Sequence, residues 1–317
     1  MMWRCLVTGV SVGSLLFVLG GCKNGSSGPD GEPASFRDQV AAAQKETIPE
    51  VRAKKLIKIG YQQGKAQDQS GASETLAIAT KACQEIEDAA GRAGAYALLA
   101  EAQAKLENRS DGRDALKLAQ EAVDQIDHLE TKARTLTRLA RAQAELEDHQ
   151  GADTTLKLAE QLAGQLKAGE GKADVYGQVL VLAAVAQTYH KIGNLAGADR
   201  VIGSALELAG SLEDVRTRCE AIAEIAATQN ELGKTEAAGE TFAAALEAAG
   251  QIEAAYGKAN ALADVAEKLS EAGLHAKTHE VLEEADLVAH KIPEPDLQGQ
   301  TVERVRTLMG TLPRPAG

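Results

Sequence analysis

The sequence repeats itself with a period of forty residues. An apolar residue closes each block, at Ile86, Ile126, Leu166, Leu212, Ile252 and Ile292, with spacings of 40, 40, 46, 40 and 40. A period of this size is typical of solenoids, in which each unit stacks on its neighbours instead of surrounding one common centre. The repeats therefore cover residues 47–166 as units one to three and 173–292 as units four to six, with residues 167–172 outside the register.

Each block contains two apolar stripes with helical spacing. The first stripe has apolar or aromatic tenth and thirteenth positions and a Gly or Ala at the fourteenth, as in Leu136, Leu139 and Ala140. In the second stripe one position is alanine in every block: Ala79, Ala119, Ala159, Ala205, Ala245 and Ala285. We expect two helices to cross closely at that alanine, because a larger side chain would force their backbones apart.

Composition agrees with an all-α chain. No proline lies between Glu50 and Ile292, so nothing there interrupts a helix by removing an N–H group. The chain has 59 Ala and only 3 Phe, 5 Tyr and 1 Trp, so its core must be built from small and aliphatic side chains. A net charge of −12 argues against nucleic-acid binding, which depends on neutralising phosphates.

The combined pattern resembles the tetratricopeptide repeat. Leu136, Leu139 and Ala140 match its first helix, and Ala152, Leu156 and Ala159 match its second. The resemblance implies an α-solenoid of six helix-turn-helix units. The departures are a period longer than the family's roughly 34 residues, the absence of a closing proline, and a glutamine where the family has an aromatic residue, at Gln63, Gln103, Gln143 and Gln229. A HEAT-like solenoid is the alternative architecture, and we expect the glutamines to form hydrogen bonds between helices.

Helices flank the repeats on both sides. Residues 35–46 predict a leading helix, and residues 293–317 predict a terminal cap helix and tail. Arg306 occupies the small-residue position of the cap, where a charge prevents another helix from packing closely. Gly169 and Gly171 in the insertion suggest either a joint between two three-unit halves or an enlarged surface loop.

The first 21 residues have the layout of a secretory signal peptide, with Arg4 before an apolar stretch that closes on small residues. Residues 19–22, Leu-Gly-Gly-Cys, resemble the bacterial lipobox, which implies cleavage before Cys22 and its lipidation. An uncleaved signal anchor is the alternative. Residues 22–34 then form a lipidated cysteine and a flexible tether. Lys23 after the cysteine favours, by resemblance to bacterial sorting rules, an outer-membrane anchor facing the periplasm.

The family resemblance also implies a binding groove. In that family the concave surface is lined by the first helix of each unit, at its eighth, eleventh, twelfth, fifteenth and eighteenth positions. The residues carried over in this way are Lys54, Lys58, Tyr61, Arg134, Arg138, Arg141, His190, Glu220, Glu224, Asn230, Asp264 and Glu267. The groove would thus be basic at one end and acidic at the other. The alternative is that these residues form the solvated faces of charged helices.

The sequence offers little for catalysis. It contains no phosphate-binding loop with Gly-Lys-Ser/Thr, no His-Glu-x-x-His and no Gly-x-Ser-x-Gly. His275 and His279 share a helical face, but two ligands make a poor metal site, and ordinary surface histidines explain them better. Cys83 and Cys219 lie at apolar positions of distant units, so we expect buried free thiols. We therefore predict no enzyme activity, no cofactor and no metal.

These observations predict a membrane-anchored scaffold that binds other envelope proteins or peptide segments in its groove. The alternatives are a structural or self-associating envelope protein and, less favoured, a metal-binding or catalytic one.

Overall fold

The computed structural model describes residues 35–166 and 173–313, which form fourteen helices and no strand. The chain begins with α1 (Phe36–Gln44). Six hairpins follow: α2 (Pro49–Lys65) with α3 (Gln69–Gln84), α4 (Ala89–Lys105) with α5 (Arg109–Val123), α6 (Leu129–Glu145) with α7 (His149–Gln165), α8 (Ala173–Lys191) with α9 (Leu195–Gly210), α10 (Val215–Glu231) with α11 (Thr235–Gly250), and α12 (Ala255–Glu271) with α13 (His275–Ala289). The last helix is α14 (Pro295–Thr311). The predicted all-α solenoid of six hairpins with flanking helices is confirmed. Cys22 and residues 167–172 lie outside the described residues.

The helices stack in two layers. Helices α2, α4, α6, α8, α10, α12 and α14, here called the inner helices, each pack on the next member of the series. Helices α3, α5, α7, α9, α11 and α13, the outer helices, pack on the inner helix of their own hairpin and on the inner helix that follows. In the described residues no substantial packing joins one outer helix to another. The inner helices are therefore the layer whose members contact one another directly.

The alanine column lies where the layers meet. All six alanines of the column, Ala79, Ala119, Ala159, Ala205, Ala245 and Ala285, have no exposed surface. The small fourteenth position of the inner helices is equally buried, for example at Ala140 and Ala226. Leucines from both helices of a hairpin, such as Leu136 and Leu156, fill the space beside these contacts. Small residues at both crossing points let the helices approach closely, as the sequence predicted.

One backbone conformation closes every hairpin. The residue at the turn has a positive φ in all six units: Gln67, Glu107, Glu147, Gly193, Gly233 and Gly273, with φ between 62° and 79°. The following residue donates its N–H to a carbonyl five residues earlier, as Asp148 does to Gln143 at 2.9 Å. This is the left-handed C-cap that ends many helices. The outer helix then begins on a side-chain cap in several units, as where Asp148 accepts from the N–H of Gly151.

Arginines at the sixth position of the repeat join successive units. Arg92 donates to the carbonyl of Ile86 at 2.7 Å and to the side chain of Gln125 at 2.6 Å. Arg218 makes the same pair of contacts, to Leu212 at 2.8 Å and to Gln251 at 3.1 Å. Each guanidinium therefore ties the end of one unit to both helices of the next.

The repeated glutamines lie at the hairpin turns, and two of the four bond as the sequence suggested. Gln63 donates to the cap residue Asp68 at 3.1 Å, and Gln103 accepts from Asn108 at 3.0 Å. The side-chain oxygens of Gln63, Gln143 and Gln229 are buried without a hydrogen-bond partner in the described part of the chain, so Gln63 bonds only through its amide nitrogen. For Gln143 and Gln229 the expected inter-helix bond of that oxygen is not formed.

At the C-terminal end, α14 packs on α12 and α13 and buries Thr301 and Val305. The side chain of Arg306 is 63% exposed, and its Nε lies 3.5 Å from a carboxylate oxygen of Asp286 on α13. The helix thus covers the last hairpin, and the charge of Arg306 is paired with that hairpin and does not face away from it.

Candidate functional site

The candidate site is the face of the inner helices on which most of the predicted residues lie, and we call this face the groove. It is formed by the eighth, twelfth and fifteenth positions of each unit, from residues 54, 58 and 61 on α2 to residues 260, 264 and 267 on α12. Because successive inner helices pack side by side, these positions form three rows that cross all six units. The stack therefore places ten of the twelve predicted residues, all but His190 and Asn230, in these rows.

The basic end of the groove lies on α2 and α6. Lys54 donates to Glu50 at 2.6 Å, while Lys58 is exposed and Tyr61 is half-buried beside the core. On α6 the two outer arginines of the predicted triplet have carboxylate partners. Arg134 lies 3.5 Å from Glu130, and Arg141 donates to Glu101 at 2.8 Å.

Arg138, between those two arginines, differs from them. Burial lowers the pKa of its guanidinium below the usual value, and the charges of Arg141 and Arg134 lower that pKa further. Glu50 and Glu101 oppose this shift only through longer-range attraction. Among the described residues it forms no hydrogen bond or ion pair, so its positive charge is only partly compensated.

The acidic end of the groove contains an open cavity of about 660 Å³. Four predicted residues, Glu220, Glu224, Asp264 and Glu267, line it together with residues from neighbouring inner helices. Tyr176 of α8 contributes its ring, and burial, followed by the charges of Glu220 and Glu224, raises the pKa of its phenol. These four carboxylates lie together because they occupy groove positions of two adjacent units, as the repeat register implies.

The sequence analysis missed the cations that neutralise this end. Arg216 donates to Glu220 at 3.0 Å and lies 3.4 Å from Asp264. Lys268 lies 2.9 Å from Glu224. Burial alone would lower the pKa of Lys268, but hydrogen bonds to Glu224 and Glu271 raise it well above its usual value. These bases lie one helical turn from predicted acids, at i−4 or i+4, and that spacing is the signal that could have revealed them.

A third cation comes from the cap. Arg304 of α14 donates to Asp264 at 2.6 Å and to Glu267 at 3.2 Å, and also to the side chain of Asn260 at 2.9 Å. Arg304 continues the twelfth-position row one unit beyond the repeats. Extending the register into the cap would have found it. The acidic end is therefore an ion-pair network with a remaining excess of carboxylates.

His190 and Asn230, predicted between the two charged ends, lie near the ends of α8 and α10. Both are half-buried. Asn230 donates its side-chain amide to the carbonyl of Ala272 at 3.0 Å, so it links α10 to the end of α12. That contact makes Asn230 a connection between units as well as a lining residue.

The remaining candidates for chemistry lie apart from the groove. His279 approaches the carbonyl of Pro313 at 3.2 Å, and the buried Nδ1 of His275 has no partner in the described residues. Across residues 35–166 and 173–313, no group of three or more His, Cys, Asp and Glu side chains could hold a metal ion. Cys83 and Cys219 are buried free thiols, as expected, and burial raises the pKa of each to about 12. None of the described helices combines the length and apolar character needed to cross a bilayer.

Comparison with known proteins assigns no family. No family model matches the chain, and no curated protein matches it. Among solved structures, Ton1535 from Thermococcus onnurineus NA1 is 14% identical, with a TM-score of 0.42 over 86% of this chain and 95% of that one. BtubC (BKLC) from P. vanneervenii is 15% identical, with a TM-score of 0.40 over 68% and 91% of the two chains.

A Rap protein complexed with Competence and Sporulation Factor is 14% identical, with a TM-score of 0.37 over 87% of this chain and 80% of that one. Identities and TM-scores this low carry no argument about the present chain. Its solenoid architecture rests on its own helices and their packing.

Proposed function

We propose that this protein is a scaffold that binds an extended segment of another protein in the groove, and that it is not an enzyme. The observation that carries the proposal is the groove itself. Charged and half-buried apolar side chains from six units line it as one continuous, open surface. Long, shallow surfaces of this kind suit polypeptides, whereas small molecules prefer enclosed and mostly apolar pockets. The cavity of about 660 Å³ belongs to the same groove and is lined mainly by charged groups.

The finer proposal concerns location. We propose that Cys22 is lipidated after removal of residues 1–21, and that residues 23–34 tether the solenoid to a bacterial membrane, facing the periplasm and favouring the outer membrane. More than one acyl chain on a residue gives stable anchoring, whereas a single chain gives only marginal binding. Replacing Cys22 by Ser should release the protein from the membrane fraction and abolish labelling by a radioactive fatty acid. Retention of both would contradict lipidation.

Photo-cross-linking in intact cells tests the binding function. A photoreactive phenylalanine at Tyr61, in the groove, should capture a defined protein partner. The same residue at Lys117, exposed on the outer helix α5, should capture that partner much less. Equal capture at both positions would contradict binding in the groove.

Self-association is the second candidate, because an open stack of hairpins can continue from one molecule to the next. In that case, the photoreactive residue at position 61 would capture only a second copy of the chain. A purified protein that eluted as a symmetric oligomer without partners would support this alternative.

A further inference from the structure

One row of the groove contains two cations without partners. The twelfth positions of the first three units are Lys58, Leu98 and Arg138. Within the described residues, neither Lys58 nor Arg138 donates a hydrogen bond or has a carboxylate within ion-pair distance. In the fifth and sixth units the same row has Glu224 and Asp264, which are paired with Lys268 and Arg304. The charged residues of this row are therefore paired within the protein in units five and six, whereas, in the part of the chain described, those in units one and three are not.

The surroundings of Arg138 favour binding of an anion to its guanidinium. Two like charges, Arg134 and Arg141, flank it on α6. Its guanidinium lies over Gly94 of α4, where a β-carbon would come within 3.3 Å of Nη1. The missing side chain at that position leaves the guanidinium accessible. A carboxylate arriving there gains a charge-assisted hydrogen bond without having to displace an existing partner.

The distance between Lys58 and Arg138 determines how long a bound segment must be to contact both residues. Packed helices lie about 8–10 Å apart, so two steps from α2 to α6 separate Lys58 from Arg138 by roughly 16–20 Å. An extended chain advances about 3.3 Å per residue, so that distance corresponds to about five or six residues. Leu98, half-buried midway between the two cations, offers an apolar contact.

We propose that Lys58, Leu98 and Arg138 bind an extended protein segment that carries two carboxylates about six residues apart with an apolar residue between them. The inference rests on the proposed function and narrows it to an acidic partner segment lying across units one to three. The carboxylates of units five and six contribute less to selection, because a basic partner must compete with Arg216, Lys268 and Arg304.

Fluorescence anisotropy with designed peptides tests this inference on the full chain solubilised in detergent. The probe contains Glu-Ser-Ser-Leu-Ser-Ser-Glu between neutral flanks. A second peptide has the same composition with the two glutamates adjacent. We expect Arg138→Gln and Lys58→Gln each to weaken binding of the probe at least about fivefold, the loss of one charge-assisted bond. The rearranged peptide should bind about fivefold more weakly than the probe to the unmodified protein.

Lys55→Gln is the matched control. Lys55 lies on the same helix as Lys58, is paired with Glu46 at 2.7 Å and is outside the row. Its replacement removes the same charge and should change the affinity less than about twofold. Equal losses for Lys55 and Lys58, equal binding of both peptides, or no binding up to about 1 mM would overturn the inference.

The photo-cross-linking experiment separates this inference from the proposed function. A partner captured at position 61 whose binding survives Arg138→Gln would overturn the inference and leave the function standing. Row-dependent peptide binding with no partner captured in cells would support the inference and count against the function.

Discussion

At the scale of single residues, every hairpin turn requires one residue with a positive φ, and the chain uses glycine there in some units and a larger residue in others. The left-handed conformation costs an ordinary L-residue about 1–2 kcal/mol and costs glycine little. Units four to six place Gly193, Gly233 and Gly273 there, whereas units one to three use Gln or Glu. In the sequence a glycine marks this turn in units four to six only, because nothing in the side chain of Gln67 or Glu107 favours a positive φ.

Substitutions at this turn should change the free energy of unfolding in opposite directions in units one to three and in units four to six. Gln67→Gly should stabilise the fold by about 0.5–1 kcal/mol, since relief of the left-handed strain exceeds the entropy cost of glycine. Gly233→Ala, at φ 77°, should cost about 1 kcal/mol. Gly239→Ala is the control, because Gly239 lies inside α11 with open space around it and should gain about 0.5–1 kcal/mol. Urea unfolding followed by circular dichroism measures all three; destabilisation by Gln67→Gly would contradict this account.

The buried thiols should be silent in the folded protein. Burial raises the pKa of both Cys83 and Cys219 to about 12, so almost no thiolate forms near pH 8. We expect neither Cys83 nor Cys219 to react with a maleimide in native buffer, and we expect both to react completely in urea. Rapid native labelling of either thiol would show that its unit opens locally.

The raised pKa values of these two thiols also predict how the stability of the fold changes with pH. A thiol with a folded-state pKa near 12 and an ordinary value near 9 loses its proton more readily when the chain is unfolded. Stability should therefore be lost as the pH rises between about 9 and 12, and Cys219→Ala should reduce that loss. An equal alkaline loss in the variant would show that other groups cause it.

At the scale of helices, the alanine column determines how closely a hairpin can pack. The sequence predicted the column and its burial, because six copies agree at one position. The sixth-position arginines that join units were not predicted. Arg52, Arg92 and Arg218 share the position, but Lys132 and Gln178 interrupt the series, and the carbonyl partners are invisible in a sequence.

Overpacking the column should destabilise the fold. Ala159 has no exposed surface, so Ala159→Leu must push α7 away from its neighbours and should cost about 1–3 kcal/mol. Gln161→Leu adds the same side chain to an exposed position of α7 and should change stability by less than about 0.5 kcal/mol. A thermal melt that responds equally to both substitutions would contradict the close crossing.

At the scale of the whole molecule, charge is distributed unevenly along the stack. Residues 35–86 contain eight basic and six acidic side chains, whereas residues 213–252 contain three basic and eight acidic ones. Both counts can be read directly from the sequence. It could not predict which charges neutralise one another, since pairs such as Arg304 with Asp264 join residues that only the stacking brings together.

Removing the cap tests whether the stack is closed at its end. A chain that stops at residue 292 exposes the surface of α12 and α13 that α14 covers, and it leaves Asp264 and Glu267 without Arg304. We expect this truncated chain to elute earlier from size exclusion than its mass predicts, through stacking of exposed ends. Unchanged elution and thermal stability would show that α14 is dispensable.

The separation of the outer helices has a mechanical consequence. Fanning them apart or drawing them together breaks no hydrogen bond of a helix backbone, and the alanine crossings within each hairpin stay intact. Bending of the stack would therefore mainly strain side-chain contacts between units, such as the ion pair between Arg200 of α9 and Glu160 of α7. A polypeptide bound along the groove would contact several units at once, so it would couple their relative positions without requiring any hairpin to unfold.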